Sequence, residues 1–324
     1  MKPIPLVVLG IDGGGTQSIA LATDSTGRVL ASARAGSLNF FGSSLPVARR
    51  NLRQLVRQIR RRLPPGSPFV KIVVGCAALF SDATPTEKKR FIHDVLSPDR
   101  TRVISDCQTA SFAANLGQPG VVVIAGTGSI VLVRNEAGRC ARAGGWGHLL
   151  GDAGSAYWIA TESIKAAVAA QEGWGPKTRL GPAICRWFRV RALTDIVPVV
   201  YRPDFAKGEL ARLAGHLAPK LGHCDAPFRA ICRRAGRDLA ILVSAALRRA
   251  PFKTRPVPIC LVGGVLTNNA LVRDALAAAL KENSPVRIRA AHLSPAAGAA
   301  AMALIDAGVM LAPEVVQRLK APFR

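Results

Sequence analysis

Leu6-Val7-Val8-Leu9-Gly10-Ile11, running into Asp12-Gly13-Gly14-Gly15-Thr16, decides how this chain is read. A continuous apolar run bounded by turn residues makes a strand buried on both faces. Glycines placed directly after it let backbone N–H groups approach a phosphate and tolerate the angles this requires. Asp12, at the strand's end, is placed to hold a magnesium ion directly or through its waters. The Thr16 hydroxyl adds a further donor. The segment is neither a Walker A loop nor a dinucleotide fingerprint, since no Gly-Lys-Ser/Thr and no helix follow it. Taken alone, it reads equally well as a glycine-rich hairpin turn.

Working outward, residues 19–23 and 29–33 read as second and third strands, with Asp24-Ser25-Thr26-Gly27 as the turn. The chain therefore opens with an antiparallel meander. A helix over 46–63 carries Val47, Leu52, Leu55, Val56 and Ile59 on one face, and Pro64-Pro65-Gly66 stops it. Strand 70–74, helix 86–96, strand 102–104 and helix 109–116 follow. Asp106 lies between the last two and alone reads as a helix N-cap.

The same order then restarts. Strand 121–125 leads into Gly126-Thr127-Gly128, a second glycine hairpin able to hold a polyphosphate together with the first. Strands 129–134 and 139–142 come next, then a long helical region with an Arg- and Pro-rich insertion to about 227, and a helix over 228–249. Strand 258–262, helix 269–280, strand 286–290 and helix 295–307 complete the copy. Gly263 and Gly264, between strand and helix, permit close approach of a flat base and ribose, or simply make a helix-entry turn. The repeat is one of order and hairpin chemistry, with no repeat of sequence. The expected architecture is α/β, with two domains across a cleft. These are residues 1–117 and 118–307, the second with a helical insertion at about 173–227, and a terminal helix at 308–324 packing back on the first.

Composition agrees with two cores: the chain has 324 residues, 49% of them hydrophobic, against a rough 150 per domain. The formal charge of +24 comes mostly from arginine, as in Arg49-Arg50, Arg60-Arg61-Arg62 and Arg248-Arg249. Such charge reads either as a nucleic-acid or membrane-surface footprint or, more plainly, as an Arg-rich composition filling surface positions, and in both cases it attracts anionic substrates. No recognisable nucleic-acid module accompanies it, and aromatics are only 5%, so no specific nucleic-acid partner is expected. The seven cysteines show no Cys-x-x-Cys pair and no zinc spacing, as suits free thiols in a reducing compartment. The apolar run at 4–11 is too short for a signal h-region with its cleavage site, and 296–311 contains Asp306 and is too short to span a bilayer, so a cytoplasmic protein without a membrane partner is expected.

These motifs, with Ser105-Asp106 and Ala110, the run 144–158 and Leu261-Val262-Gly263-Gly264-Val265, resemble the BadF/BadG/BcrA/BcrD-type ATPase family. Within that family they look like N-acetylglucosamine kinases of the animal and bacterial type. The resemblance implies the duplicated ribonuclease-H-like fold of actin, Hsp70 and hexokinase. It also implies ATP and Mg2+ as cofactors, an amino sugar as the small-molecule partner, and a homodimer as a form that relatives take. Position by position it gives Gly13, Gly14, Gly15 and Thr16 to the β/γ phosphates and Asp12 to magnesium. Gly126, Thr127 and Gly128 form the second phosphate hairpin, and Gly263 and Gly264 flank the adenosine. Asp106 becomes the catalytic base, and Asn39, Gly145, Trp146 and Asp152 fall where such kinases hold the sugar.

The chemistry is coherent in its own terms, because a sugar hydroxyl must lose its proton as it attacks phosphorus. Among the other motifs, Asp106 reads as that base rather than as a cap. Trp146 and Asp152 keep plainer readings, a packed ring and a helix cap, and His148 reads as structural. Gln17 departs from the Lys or Arg of many relatives, and Ala153 from the acid of the family's Gly-Asp-Glu-Gly-Ser run. Cys76-Ala77-Ala78-Leu79 lacks the animal kinase's Ser-Gly-Gly pattern. The expected reaction is transfer of the ATP γ-phosphate to the 6-hydroxyl of an N-acetylhexosamine, N-acetylglucosamine first, with glucosamine or N-acetylmuramic acid as alternatives. Two rival readings are an iron–sulfur ATPase that activates a dehydratase or reductase, and a non-catalytic sugar sensor. Residues 121–125 hold no cysteine, which disfavours the first; retention of Asp12 and Asp106 disfavours the second.

Overall fold

The computed structural model describes residues 6–41, 44–79, 83–283 and 285–320, and the chain divides into two compact units. Met1–Gly117 with Ala291–Arg324 form the first, and Gln118–Ala290 the second. The first unit opens with β1 (Val7–Gly13), β2 (Gln17–Asp24) and β3 (Val29–Gly36), then α1 (Leu45–Arg60) and β4 (Phe69–Cys76). It continues with α2 (Pro85–Ile92), β5 (Thr101–Ile104) and α3 (Asp106–Asn115). The second holds β6 (Gly120–Ala125), β7 (Ser129–Arg134), β8 (Cys140–Gly144), α4 (Ala156–Gln171), α5 (Leu180–Phe188) and α6 (Ile196–Val200). It goes on through α7 (Lys207–Leu221), α8 (Ala226–Arg249), β9 (Val257–Val262), α9 (Gly264–Asn268), α10 (Ala270–Asn283) and β10 (Val286–Arg289). Then α11 (Pro295–Asp306) and α12 (Pro313–Lys320) return to the first unit.

Each unit is built on a five-stranded sheet, in the orders β3-β2-β1-β4-β5 and β8-β7-β6-β9-β10 when read from corresponding edges. In both, three antiparallel strands are extended by two parallel ones. This is the duplicated ribonuclease-H-like, actin-like ATPase fold. Among the described residues no helix is long and apolar enough to cross a membrane.

The first sheet is covered on both faces, and β1 shows how the period-2 alternation serves this. Val7, Leu9 and Ile11 join Leu52, Leu55, Val56 and Ile59 in one core, so the apolar stripe of α1 has its partner there. Val8 faces the other way, into a cluster with Val73 and the alanines of α11. Gly10 is on that second face, and a Cβ there would lie 2.1 Å from the backbone nitrogen of Ala300. The helix lies almost on the strand because both surfaces are small.

That close fit corrects one expectation. Residues 295–307 belong to the first unit, not the second, because α11 packs on β1 and α3, with Gly298 tight against Ala113. Within α12, Val316 and Leu319 join the same cluster; residues 321–324 of the expected terminal helix lie outside the described residues. The region separating β8 from β9 is helical: α8 lies on the second sheet, α4 packs on α8, and α5 and α7 pack on α4, with Leu213, Leu217, Phe228, Leu239 and Val243 in the shared core.

Candidate active site

Two carboxylates of the first unit are brought together by strand register. In the parallel β1–β4 pairing Asp12 stands opposite Gly75, and in β4–β5 Gly75 stands opposite Ile104, two residues before Asp106. The middle strand thus carries no side chain between the acids. A Cβ on Gly75 would fall 2.6 Å from Thr109 Oγ1 and 3.2 Å from Asp106 Cα. The first turn of α3 therefore sits directly over β4, and Asp106 is carried toward Asp12. Burial pushes the Asp12 carboxyl up to about 7 from its ordinary 3.8, and the like charge of Asp106 adds to the rise.

The structure also removes the capping role from Asp106. Ser105 is the N-cap of α3: its hydroxyl accepts from the Gln108 N–H, and the Gln108 carboxamide accepts from the Ser105 N–H at 3.1 Å. The helix begins at Asp106, three residues earlier than the pattern predicts, with the Thr109 hydroxyl donating to the Asp106 carbonyl at 2.7 Å. The Cys107 thiol donates to Asp106 Oδ1 at 3.3 Å.

The first glycine hairpin adjoins this pair. Gly13 has no room for a Cβ, which would sit 2.5 Å from the Gly75 carbonyl oxygen and 2.6 Å from Leu38 Cδ1. Gly14 is held by the Ser37 hydroxyl, which donates to its carbonyl at 3.1 Å. Ser37 Oγ in turn accepts from the Asn39 N–H at 2.9 Å, and Asn51 Nδ2 donates to the Ser37 carbonyl at 2.8 Å. This chain of bonds sets Asn39 beside the hairpin, its Nδ2 3.9 Å from the place of a Gly15 Cβ. Thr16 and Gln17 face solvent at the tip.

The second hairpin is tied down from behind. The Gly126 N–H donates to the Gly128 carbonyl at 2.9 Å, and the Ala156 N–H donates to the Gly126 carbonyl at 2.8 Å. Asp152 Oδ1 accepts from the Ser129 N–H at 3.1 Å, and the Ser129 hydroxyl donates to the Ala153 carbonyl at 2.7 Å. A Cβ on Gly128 would meet the Asp152 carboxylate at 2.8 Å. Asp152 is only 4% exposed, with φ of +59°, and its carboxylate is committed to the hairpin. Ser155, not Asp152, caps α4 by accepting from the Trp158 N–H. Ala153 contributes only its backbone oxygen, so the missing acid leaves the tie intact.

Gly145 has φ of +73° and packs on Ile130, with its N–H on the Ser129 carbonyl at 3.0 Å. Trp146 is 64% exposed, with the Arg142 guanidinium 5.6 Å from its ring centre, so the packed-ring reading does not hold. His148 packs edge-on against Tyr157 at 4.8 Å. Gly263, at φ of +100°, lies where a Cβ would be 2.4 Å from the Ala125 carbonyl and 3.1 Å from the Gly126 nitrogen. Gly264 opens α9, its face open as far as Asn268, and Thr127 is half-buried at the hairpin tip.

The first unit therefore assembles Asp12, Gly13, Gly14, Gly15, Thr16, Asn39 and Asp106. The second assembles Gly126, Thr127, Gly128, Gly145, Asp152 and Gly263. Sequence reasoning missed Gly75, Ser37 and Ser129. Gly75 was signalled by a glycine ending the apolar run of β4; the serines carried no signal beyond their neighbours.

The sequence profile of the BadF/BadG/BcrA/BcrD ATPase family matches residues 9–303. The chain belongs to this family. It is 30% identical over 283 residues to the N-acetylmuramic acid/N-acetylglucosamine kinase of Clostridium acetobutylicum, covering 86% of this chain and 91% of that protein. It is 29% identical over 314 residues to the N-acetyl-D-glucosamine kinase of Dictyostelium discoideum, covering 92% and 98% respectively. In fold it is similar to a Chromobacterium violaceum protein assigned as an N-acetylglucosamine kinase. That likeness has a TM-score of 0.74 at 24% identity and covers 93% of this chain and all (100%) of the other.

Proposed function

We propose that this chain is an ATP-dependent kinase that transfers the γ-phosphate to the 6-hydroxyl of an N-acetylhexosamine, with N-acetylglucosamine as first candidate. The observation that carries the reading is the carboxylate pair Asp12 and Asp106, aligned across Gly75 and adjoining a glycine hairpin. Similarity to amino-sugar kinases over most of the chain supports the same class of substrate. Asp106 accepts the hydroxyl proton as the sugar oxygen attacks. Gly13, Gly14, Gly15 and Thr16 present N–H and hydroxyl donors to the phosphates, and Gly126, Thr127 and Gly128 do the same from the second unit. Gly263 and Gly264 leave room for the adenosine, and Asn39, Gly145 and Trp146 take the sugar. Asp152 acts as a positioning residue that fixes the second hairpin.

Magnesium fits the first unit's donor set. The Asp12 carboxyl is pushed up first by burial and then by the like charge of Asp106, an arrangement relieved by a cation. No cluster of three His, Cys, Asp or Glu suited to a metal occurs among the described residues. A hard ion that keeps most of its waters and takes phosphate oxygens suits a site with so few protein ligands. Bound beside Asp12, it would neutralise phosphate charge. No disulfide joins any of the seven cysteines, as suits a reducing, cytoplasmic setting.

The test is ADP release in the presence of Mg2+ and ATP with N-acetylglucosamine, glucosamine and N-acetylmuramic acid offered separately. One of them should stimulate release well above the sugar-free rate. Equal release with and without every sugar would sink the proposal.

A further inference from the structure

Helix α1 carries more arginine than its ion pairs and hydrogen bonds account for. Between Leu45 and Arg60 it has no acidic residue, while Arg49, Arg53 and Arg57 recur at every fourth position and Arg61 continues the row past its end. Like charges at that spacing repel along a helix. The helix dipole accounts for Arg57 and Arg60 in the last turn, but not for Arg53 a turn earlier. Nearby acid does not account for them either. Asp94 is the sole acidic lining residue, and it is engaged by Arg49 at 3.6 Å and His93 at 2.7 Å. Among the described residues no ion pair joins Arg53, Arg57, Arg60 or Arg61 to a carboxylate.

These four guanidinium groups line a concavity of about 420 Å³ whose floor is Val56 and Val95. Arg60 lies over the Phe69 ring at 5.1 Å and also borders an adjoining cavity of about 270 Å³. That second cavity has Phe69, Ile72 and Leu96 as apolar surface and Arg100 and Ser67 at its rim. A cluster of planar forks beside a small apolar surface fits a phosphoryl group bidentately and offers the rest of the ligand apolar contact. The arginines are confined to one compact, shallow patch, whereas a duplex or membrane calls for an extended face. The groove lies at the Phe69 end of β4, and Gly75 at its other end stands between the two carboxylates. Six residues of strand separate the two places by about 20 Å.

We propose that this arginine-lined groove is a second anion site of the first unit, binding a small phosphorylated metabolite apart from the carboxylate pair. Its occupancy is independent of the kinase chemistry, so the two readings can fail separately. The measurement is calorimetric titration of the full chain with inorganic pyrophosphate without Mg2+, for wild type, Arg53→Gln/Arg57→Gln and Arg53→Lys/Arg57→Lys. The glutamine pair should weaken binding about tenfold or more, and the lysine pair by less, since charge survives but the fork is lost. Sugar-stimulated ADP release should be unchanged in both variants, which also shows that they fold. Equal pyrophosphate affinity in all three proteins would overturn the proposal. So would binding of a short DNA duplex or of phosphatidylserine vesicles that the glutamine pair abolishes, with pyrophosphate giving no signal in any protein.

Discussion

The two units have one frame and two different contents. Asp12 is the next-to-last residue of β1 and faces Gly75 on its parallel neighbour. The corresponding next-to-last residue of β6 is Ile124, which faces Val262. At the same place in the same sheet order, one unit puts an acid across from nothing and the other puts an isoleucine against a valine. In both, the end of the central strand meets its neighbour so closely that one backbone position tolerates only glycine: Gly13 against the Gly75 carbonyl, Gly263 against the Ala125 carbonyl. The close approach belongs to the fold. The charge belongs to one copy, which is why the catalytic proposal rests on the first unit and the second is given phosphate and adenosine.

The largest expected effect of breaking this asymmetry is at Asp106. Asp106→Asn keeps the size and the helix start but cannot take a proton, and it should lower kcat by roughly 10²–10⁴ while leaving the KM for ATP nearly unchanged. A variant within twofold of wild type in steady-state turnover would show that the base lies elsewhere.

Next comes the gap itself. Gly75→Ala places a Cβ 2.6 Å from Thr109 Oγ1, and overpacking of this kind costs about 1–3 kcal/mol, measurable by urea unfolding. Adding Thr109→Ala removes the two nearest atoms it meets, leaving Asp106 Cα at 3.2 Å, and should restore part of the stability. A fully stable Gly75→Ala would mean that α3 does not press on β4 as described.

The last effect is on stability against pH without Mg2+. Asp12 holds its proton up to about 7 in the folded chain, against 3.8 as its ordinary value, so between these values the folded state binds more protons than the unfolded. Stability therefore falls as pH rises through that window, and the loss is complete above it. Asp12→Asn removes the decline: the variant should match wild type near pH 3.5 and melt higher than wild type above pH 7. Parallel melting curves for the two proteins across this range would contradict the burial of Asp12.

Element order was legible because strands with continuous apolar runs and helices with one apolar face are set by local periodicity. The hairpins were legible because glycine there is a backbone requirement. Which sheet α11 covers was not legible, since an alanine-rich helix fits either; Gly10 and Gly298 decide it through distances that exist only once the chain is folded. Ser105 as cap was within reach, because Ser105 and Gln108 have capping-box spacing, but the neighbouring Asp106 competes for the same reading. Asp152 shows the limit in the other direction. A polar residue in a glycine-rich loop reads as a ligand contact, while its burial under Gly128 depends on a left-handed backbone that the sequence does not announce.

The most direct test of the central claim is to follow the γ-phosphate of labelled ATP incubated with the chain, Mg2+ and N-acetylglucosamine, and to locate it on the product by NMR. The account predicts label on the sugar at the 6-oxygen, with little free phosphate. Label recovered only as inorganic phosphate, at a rate the sugar does not change, would contradict it.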